Sequence, residues 1–128
     1  MLQNTDLARI SLLQTLPFEA NTRYCIDRRE AGDLRRRTRA EHLEYMIEQR
    51  ARIVFGGPPQ NDEGTRVIGS LMVLSHEDRA GVGAFLQGEP YSRAGLFAEV
   101  RITRLRQMVP EFPRGLLLEE LARERAGV

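Results

Sequence analysis

Lysine is missing from this chain altogether: all nineteen basic residues among its 128 are arginine. Schiff-base chemistry and a lysine general base are therefore excluded, whereas guanidinium groups stay charged and can grip carboxylates through two parallel hydrogen bonds. Cysteine is almost as scarce. Cys25 is the only one, so an internal disulfide is impossible and a thiolate-rich metal site is excluded. Between Tyr24 and Ile26 it reads as an inert buried thiol of a strand. The two histidines, His42 and His76, match no metal-ligand spacing, and no metal is expected. His76, beside Glu77, reads as a surface residue at a helix start. Gly56-Gly57-Pro58-Pro59 lacks the lysine and hydroxyl residue of a phosphate loop, there is no dinucleotide fingerprint, and no cofactor is expected. No strained nucleophile turn suggests a Ser-His-Asp arrangement. Long apolar runs are missing too: none approaches the roughly 18 residues of a membrane span. The first twenty residues lack a basic start followed by a continuous apolar segment, so a cytoplasmic location with no membrane partner is expected.

Nor does either sign of charge dominate. Eighteen acids oppose the nineteen arginines, for a formal net charge of +1. The run Arg35, Arg36, Arg37 and Arg39 is interspersed with Glu30, Asp33, Glu41, Glu44 and Glu48, and reads as an ion-paired helix face rather than a nucleic-acid surface.

What is present is a 41% hydrophobic chain of one-domain size, small enough for a second subunit to help bury surface. A short helix around Leu7 to Leu16 precedes Pro17. Asn21 to Ile26 reads as a strand, with Thr22, Tyr24 and Ile26 on one face and Asp27 at the exit. A helix is expected from about Gly32 to Arg50, with Asp33 as N-cap and a stripe of Leu43, Met46, Ile47 and the Arg50 stem. His42 lies at the margin of that stripe. A second strand covers Ile53 to Phe55, and a turn at Asn61 to Thr65 leads to a third at Val67 to Leu74. Both parities of the third strand are apolar, so both faces of the sheet need covering. A second helix is expected over Glu77 to Leu86, with Ala80, Ala84 and Phe85 inward. A short helical turn follows over Pro90 to Phe97, then a fourth strand over Glu99 to Leu105. The order strand, helix, strand, strand, helix, strand is the ferredoxin-like α+β plan with a four-stranded antiparallel sheet. A last amphipathic helix spans Leu116 to Arg125. The chain thus divides into an N-terminal extension (1–17), a central domain (18–108) and a helical C-terminal extension (109–128).

Tyr24-Cys25-Ile26-Asp27, Arg39-Ala40-Glu41-His42-Leu43, Gly57-Pro58, Gly69-Ser70, Glu77-Asp78-Arg79-Ala80 and Pro90-Tyr91 through Gly95-Leu96-Phe97 together resemble the YCII-related family, over about Phe18 to Arg106. The resemblance implies a dimeric α/β barrel of the muconolactone isomerase type, hence a homodimer. It also implies a His-Asp pair in a pocket between the sheet and the first helix, roles that fall on His42 and Asp27. One branch of the family removes chloride from a chlorinated hydroxyquinol. Where many members have a Pro-Gly turn after the aspartate, this chain has Arg28-Arg29-Glu30-Ala31-Gly32, a more cationic rim.

An imidazole titrates near neutrality and a carboxylate can fix its tautomer. His42 as base and acid, oriented by Asp27, would suit a cofactor-independent lyase or isomerase acting on an anionic or phenolic molecule. Arg35 and Arg39 would hold an anionic oxygen. Ser70 could add a hydrogen bond, and Tyr91 could line the pocket or close the end of the barrel. Two other readings stand beside this one: a structural hydrogen bond tying helix to strand, and a non-catalytic small-molecule-binding or assembly protein.

Overall fold

The computed structural model describes residues 19–75, 78–111 and 114–127. The helix expected at Leu7 to Leu16, and His76, lie outside them. The elements run β1 (Glu19–Asp27), α1 (Leu34–Gln49), β2 (Ile53–Gly57), β3 (Gly69–Ser75), α2 (Arg79–Gly88), α3 (Pro90–Arg93), β4 (Phe97–Arg106) and α4 (Leu116–Arg125), with a 3-10 turn at Arg50–Arg52. The four strands form one sheet in the order β2-β3-β1-β4. β3 pairs antiparallel with both β1 and β2. This is the expected ferredoxin-like α+β plan.

Register decides the faces. Arg23 opposes Met72 and Cys25 opposes Ser70, and side chains alternate along a strand. Arg23, Cys25, Ser70, Met72 and Leu74 therefore share the helix-covered face, and Tyr24 and Leu71 the other. The core is Met72, Leu74, Val82 and Phe85, with Tyr45, Met46, Ile53, Leu86 and Ile102 packed against it. Each fully buried apolar side chain contributes about 1.5–3 kcal/mol. At Gly69 the strands approach closely: a Cβ there would meet the Cys25 carbonyl oxygen at 2.1 Å.

Both central helices are rotated from the expected face, although Met46 and Phe85 point inward as expected. On α1, Leu43 and Ile47 are exposed and Thr38 is buried, while Tyr45 and Met46 meet the core. The Tyr45 hydroxyl fixes this rotation by donating to the Phe85 carbonyl at 2.8 Å. On α2, Val82 and Phe85 are buried and Ala80 and Ala84 face outward, because the larger side chains fill the space over β3. Asp78 caps α2 by accepting from the Gly81 N–H at 2.7 Å. At Asp33 the side chain makes no cap bond and accepts from Arg37 Nε at 2.8 Å instead.

The chain forms two compact units. One is Ala20–Arg104, and the other takes in Leu105 onward. In the second, the Leu117 N–H donates to Glu111 at 2.9 Å, and Glu120 accepts from Arg106 at 3.4 Å and Arg123 at 3.5 Å.

Candidate active site

All six residues singled out in the sequence line one cleft of about 1700 Å³ in the first unit: Asp27, Arg35, Arg39, His42, Ser70 and Tyr91. Its polar end begins where β1 stops. The Asp27 N–H still donates to the Ile68 carbonyl at 3.0 Å, which fixes the carboxylate beside the first turn of α1. There Arg35 meets it in the two-pronged manner its fork favours. Nε donates to Oδ2 at 2.8 Å and Nη2 to Oδ1 at 2.9 Å, while Nη2 also reaches the Gly69 carbonyl at 2.8 Å.

His42 follows Arg35 by seven residues, two helical turns and roughly 10 Å along the axis, on the same face of α1. Its carboxylate partner is Glu89, not Asp27: Nδ1 lies 2.6 Å from Glu89 Oε1. An ionised carboxylate only accepts hydrogen bonds, so Nδ1 carries a proton and donates it, leaving Nε2 as the free ring nitrogen. The Tyr91 ring stacks on the imidazole at 4.1 Å and 17°. The Arg35 guanidinium lies over the same ring at 4.6 Å, and burial pushes the Tyr91 hydroxyl above its ordinary value. Tyr91 therefore connects the Asp27–Arg35 pair to the His42–Glu89 pair.

Glu89 is fully buried and has a second task as the cap of α3. Its oxygens accept from the Tyr91 and Ser92 N–H groups, both at 3.1 Å. Burial alone would raise its carboxyl. The hydrogen bonds from His42 and Tyr91 and the charge of Arg23 outweigh it and hold Glu89 below the ordinary glutamate value. Arg23 itself is wholly buried, with Nη1 3.8 Å from Glu89 Oε2 and Nη2 donating to Ser70 Oγ at 2.8 Å. Its guanidinium sits over the rings of Phe85 (5.3 Å) and Phe97 (5.9 Å), and Nε makes no hydrogen bond. Burial lowers its proton affinity. Ser70 thus serves to hold Arg23, a role not foreseen. Cys25 is fully buried, as expected, and burial pushes its thiol up to about 11.

Sequence reasoning missed Glu89 and Arg23. For Glu89 a signal existed: an acidic residue directly before Pro90 marks a helix start, with proline at the first helical position. Arg23 offered none, since a charged residue on a strand reads as facing water.

The YCII-related domain model matches residues 22–106. The chain belongs to the YCII-related family. This YCII-related protein is similar in structure to 5-chloro-2-hydroxyhydroquinone dehydrochlorinase (TftG) of Burkholderia phenoliruptrix AC1100, solved with 2,5-dihydroxybenzoquinone. The two share 26% identity and a TM-score of 0.65 over 72% of this chain and 98% of the other. PA3566 of Pseudomonas aeruginosa matches at 17% identity and a TM-score of 0.44, over 73% of this chain and 96% of its own. No curated protein matches the sequence significantly. Among the described residues of the YCII-related chain, no helix is long and apolar enough to cross a membrane, and no cluster of three metal-ligating side chains occurs.

Proposed function

We propose that this protein is a small cofactor-independent lyase that eliminates HX, X being halide or hydroxide, from a phenolic or otherwise anionic aromatic substrate, with His42 as acid and base. The observation that carries the reading is the His42–Glu89 hydrogen bond at 2.6 Å in the same cleft as the Asp27–Arg35 pair. A carboxylate on Nδ1 leaves Nε2 to take and return protons. Similarity to a dehydrochlorinase supports elimination among the reactions such a pair could perform.

The chemistry balances without an added redox partner. A proton first moves from a ring hydroxyl through His42 to the ring carbon bearing X, giving the keto tautomer. His42 then takes a second hydroxyl proton while the C–X electron pair departs with X, leaving a quinone; the sum is loss of HX. Arg35, fixed by Asp27 and Gly69, and Arg39 offset charge on the developing oxyanion. Tyr91, buried against His42 and Arg35, holds the base and the guanidinium in place. The protein acts in the cytoplasm as a homodimer, joined through the sheet face that carries Tyr24, Ile26 and Leu71.

Halide release and quinone absorbance from halogenated hydroquinols test the proposal. The His42→Ala variant should lose at least about a hundredfold in turnover, within the range of general acid–base catalysis, while keeping its circular dichroism and oligomeric state. Unchanged turnover in a folded variant rejects the role of His42. Tight binding of phenols with no conversion by the wild type identifies a binding protein instead.

A further inference from the structure

We infer that the ligand of this cleft is an elongated aromatic molecule carrying at least two oxyanion groups, one near His42 and one toward the far end of α1. This rests on the cleft being the ligand site of the proposed function, and it narrows the substrate class. The first observation is charge. The chain as a whole is nearly neutral, yet seven arginines and only two aspartates line the cleft. Asp27 is spent on Arg35 and Asp33 on Arg36 and Arg37. Arg28, Arg29, Arg39, Arg50 and Arg66 line the cleft with no acidic partner among the described residues. Glu41, Glu44 and Glu48 of α1 do not contribute to the lining.

The second observation is distribution. Arg39 sits one turn beyond Arg35, near the Tyr91 hydroxyl whose ionisation it favours. Arg50 follows the last residue of α1, eleven residues and roughly 16 Å further along the axis. A single ring cannot reach both. Between them the wall is apolar, formed by Leu43, Met46 and Val54. Leu43 and Val54 are left exposed. The cleft also exceeds the roughly 300–1,000 Å³ of a pocket for one drug-sized molecule. Arginines at both ends of an apolar trough suit carboxylate or phosphate groups at the two ends of an apolar body, since guanidinium binds either oxyanion in two-pronged fashion.

Isothermal calorimetry on the intact protein tests this with hydroquinone, 2,5-dihydroxybenzoate, biphenyl-4,4′-dicarboxylate and biphenyl-4,4′-diyl bisphosphate, at low and at 0.3 M salt. At least one of the two long dianions should bind tenfold or more tightly than hydroquinone, with the advantage shrinking in salt. Whichever wins distinguishes carboxylate from phosphate. R39Q should weaken the monoacid and the long dianion alike, and R50Q the long dianion alone. The inference is overturned by equal affinities for neutral and dianionic ligands, by no binding of either dianion at 1 mM, or by R50Q leaving their affinity unchanged. A single-stranded oligonucleotide binding more tightly than both dianions would also overturn it, in favour of nucleic acid. Repeating the titrations with His42→Ala separates the two readings. Dianion preference without turnover of any hydroquinol rejects only the lyase. His42-dependent halide release with equal affinities rejects only the dianionic ligand.

Discussion

Removing the charge of Glu89 should unfold much of what holds the site, and removing Arg23 as well should restore part of it. Both side chains are fully buried. Glu89→Gln keeps the size and one acceptor but leaves the Arg23 guanidinium with only Ser70 Oγ as a polar partner. A buried charge stripped of its counter-ion costs about 3–5 kcal/mol. Arg23→Met is milder: Glu89 keeps His42 and two backbone N–H donors, and the methionine can fill the space beside Phe85 and Phe97. Losing the Ser70 hydrogen bond and one charge contact costs about 1–2 kcal/mol. The double variant buries no ion and should be less destabilised than Glu89→Gln alone, a coupling of at least about 1 kcal/mol. Urea denaturation at one fixed protein concentration measures it. With a slope of roughly 1–3 kcal/mol per molar, Glu89→Gln lowers the midpoint by about 1 M or more and Arg23→Met reverses part of the shift. If the two effects add to within about 0.5 kcal/mol, the buried pair is not the coupled unit its geometry indicates.

Glu89 also gives the fold an acid-sensitive contribution. Its carboxyl is held below the ordinary 4.5, so its stabilisation is complete above that value and is lost as the pH falls through the folded one. Wild-type urea midpoints should therefore drop below about pH 4.5 more steeply than those of Glu89→Gln, and parallel profiles would refute the assignment. Cys25, buried and pushed up to about 11, should resist a disulfide reagent at pH 8 until urea unfolds the chain; prompt labelling of the native protein would contradict its burial. Gly69→Ala drives a Cβ to 2.1 Å from the Cys25 carbonyl, a backbone group that cannot rotate away. It should cost about 1–3 kcal/mol. Gly83→Ala, with open space around it in α2, should stabilise by about 0.5–1 kcal/mol. Melting temperatures that move the other way would show the strand spacing or the helix environment to be misjudged.

The strands were legible because a two-residue alternation survives in β1 and β4, and β3 is a short apolar run that follows a turn. β1, β3 and β4 begin and end within three residues of the expected positions, and α4 has the expected bounds. Helix orientation was less legible. Arginine and glutamate surround α1 on nearly every side, so its apolar stripe is weak, and whether Leu43 and Ile47 or Tyr45 joins Met46 at the core rests on the hydroxyl that reaches Phe85. That is a long-range contact no local pattern contains. On α2 Phe85 is buried as expected, but the inner face beside it goes to Val82 rather than to Ala80 and Ala84, because valine buries more surface.

The six residues named in the sequence share one cleft, but Glu89, Arg23 and the pairing they impose were not foreseen. Asp27 and His42 do share the cleft. Two turns of α1 separate the residue each carboxylate would have to reach, however, and a helix cannot fold that distance away. Arg35 stands at the near end and takes Asp27. His42 stands at the far end and takes Glu89, which arrives from the start of α3 already held by two backbone N–H groups. The division has a chemical consequence. The group that fixes the imidazole tautomer is rigid, buried and backed by a second buried charge in Arg23, whereas Asp27 is committed to a guanidinium. Any influence Asp27 has on proton transfer must pass through where it holds Arg35, and Arg35 and His42 are linked through the Tyr91 ring that both contact.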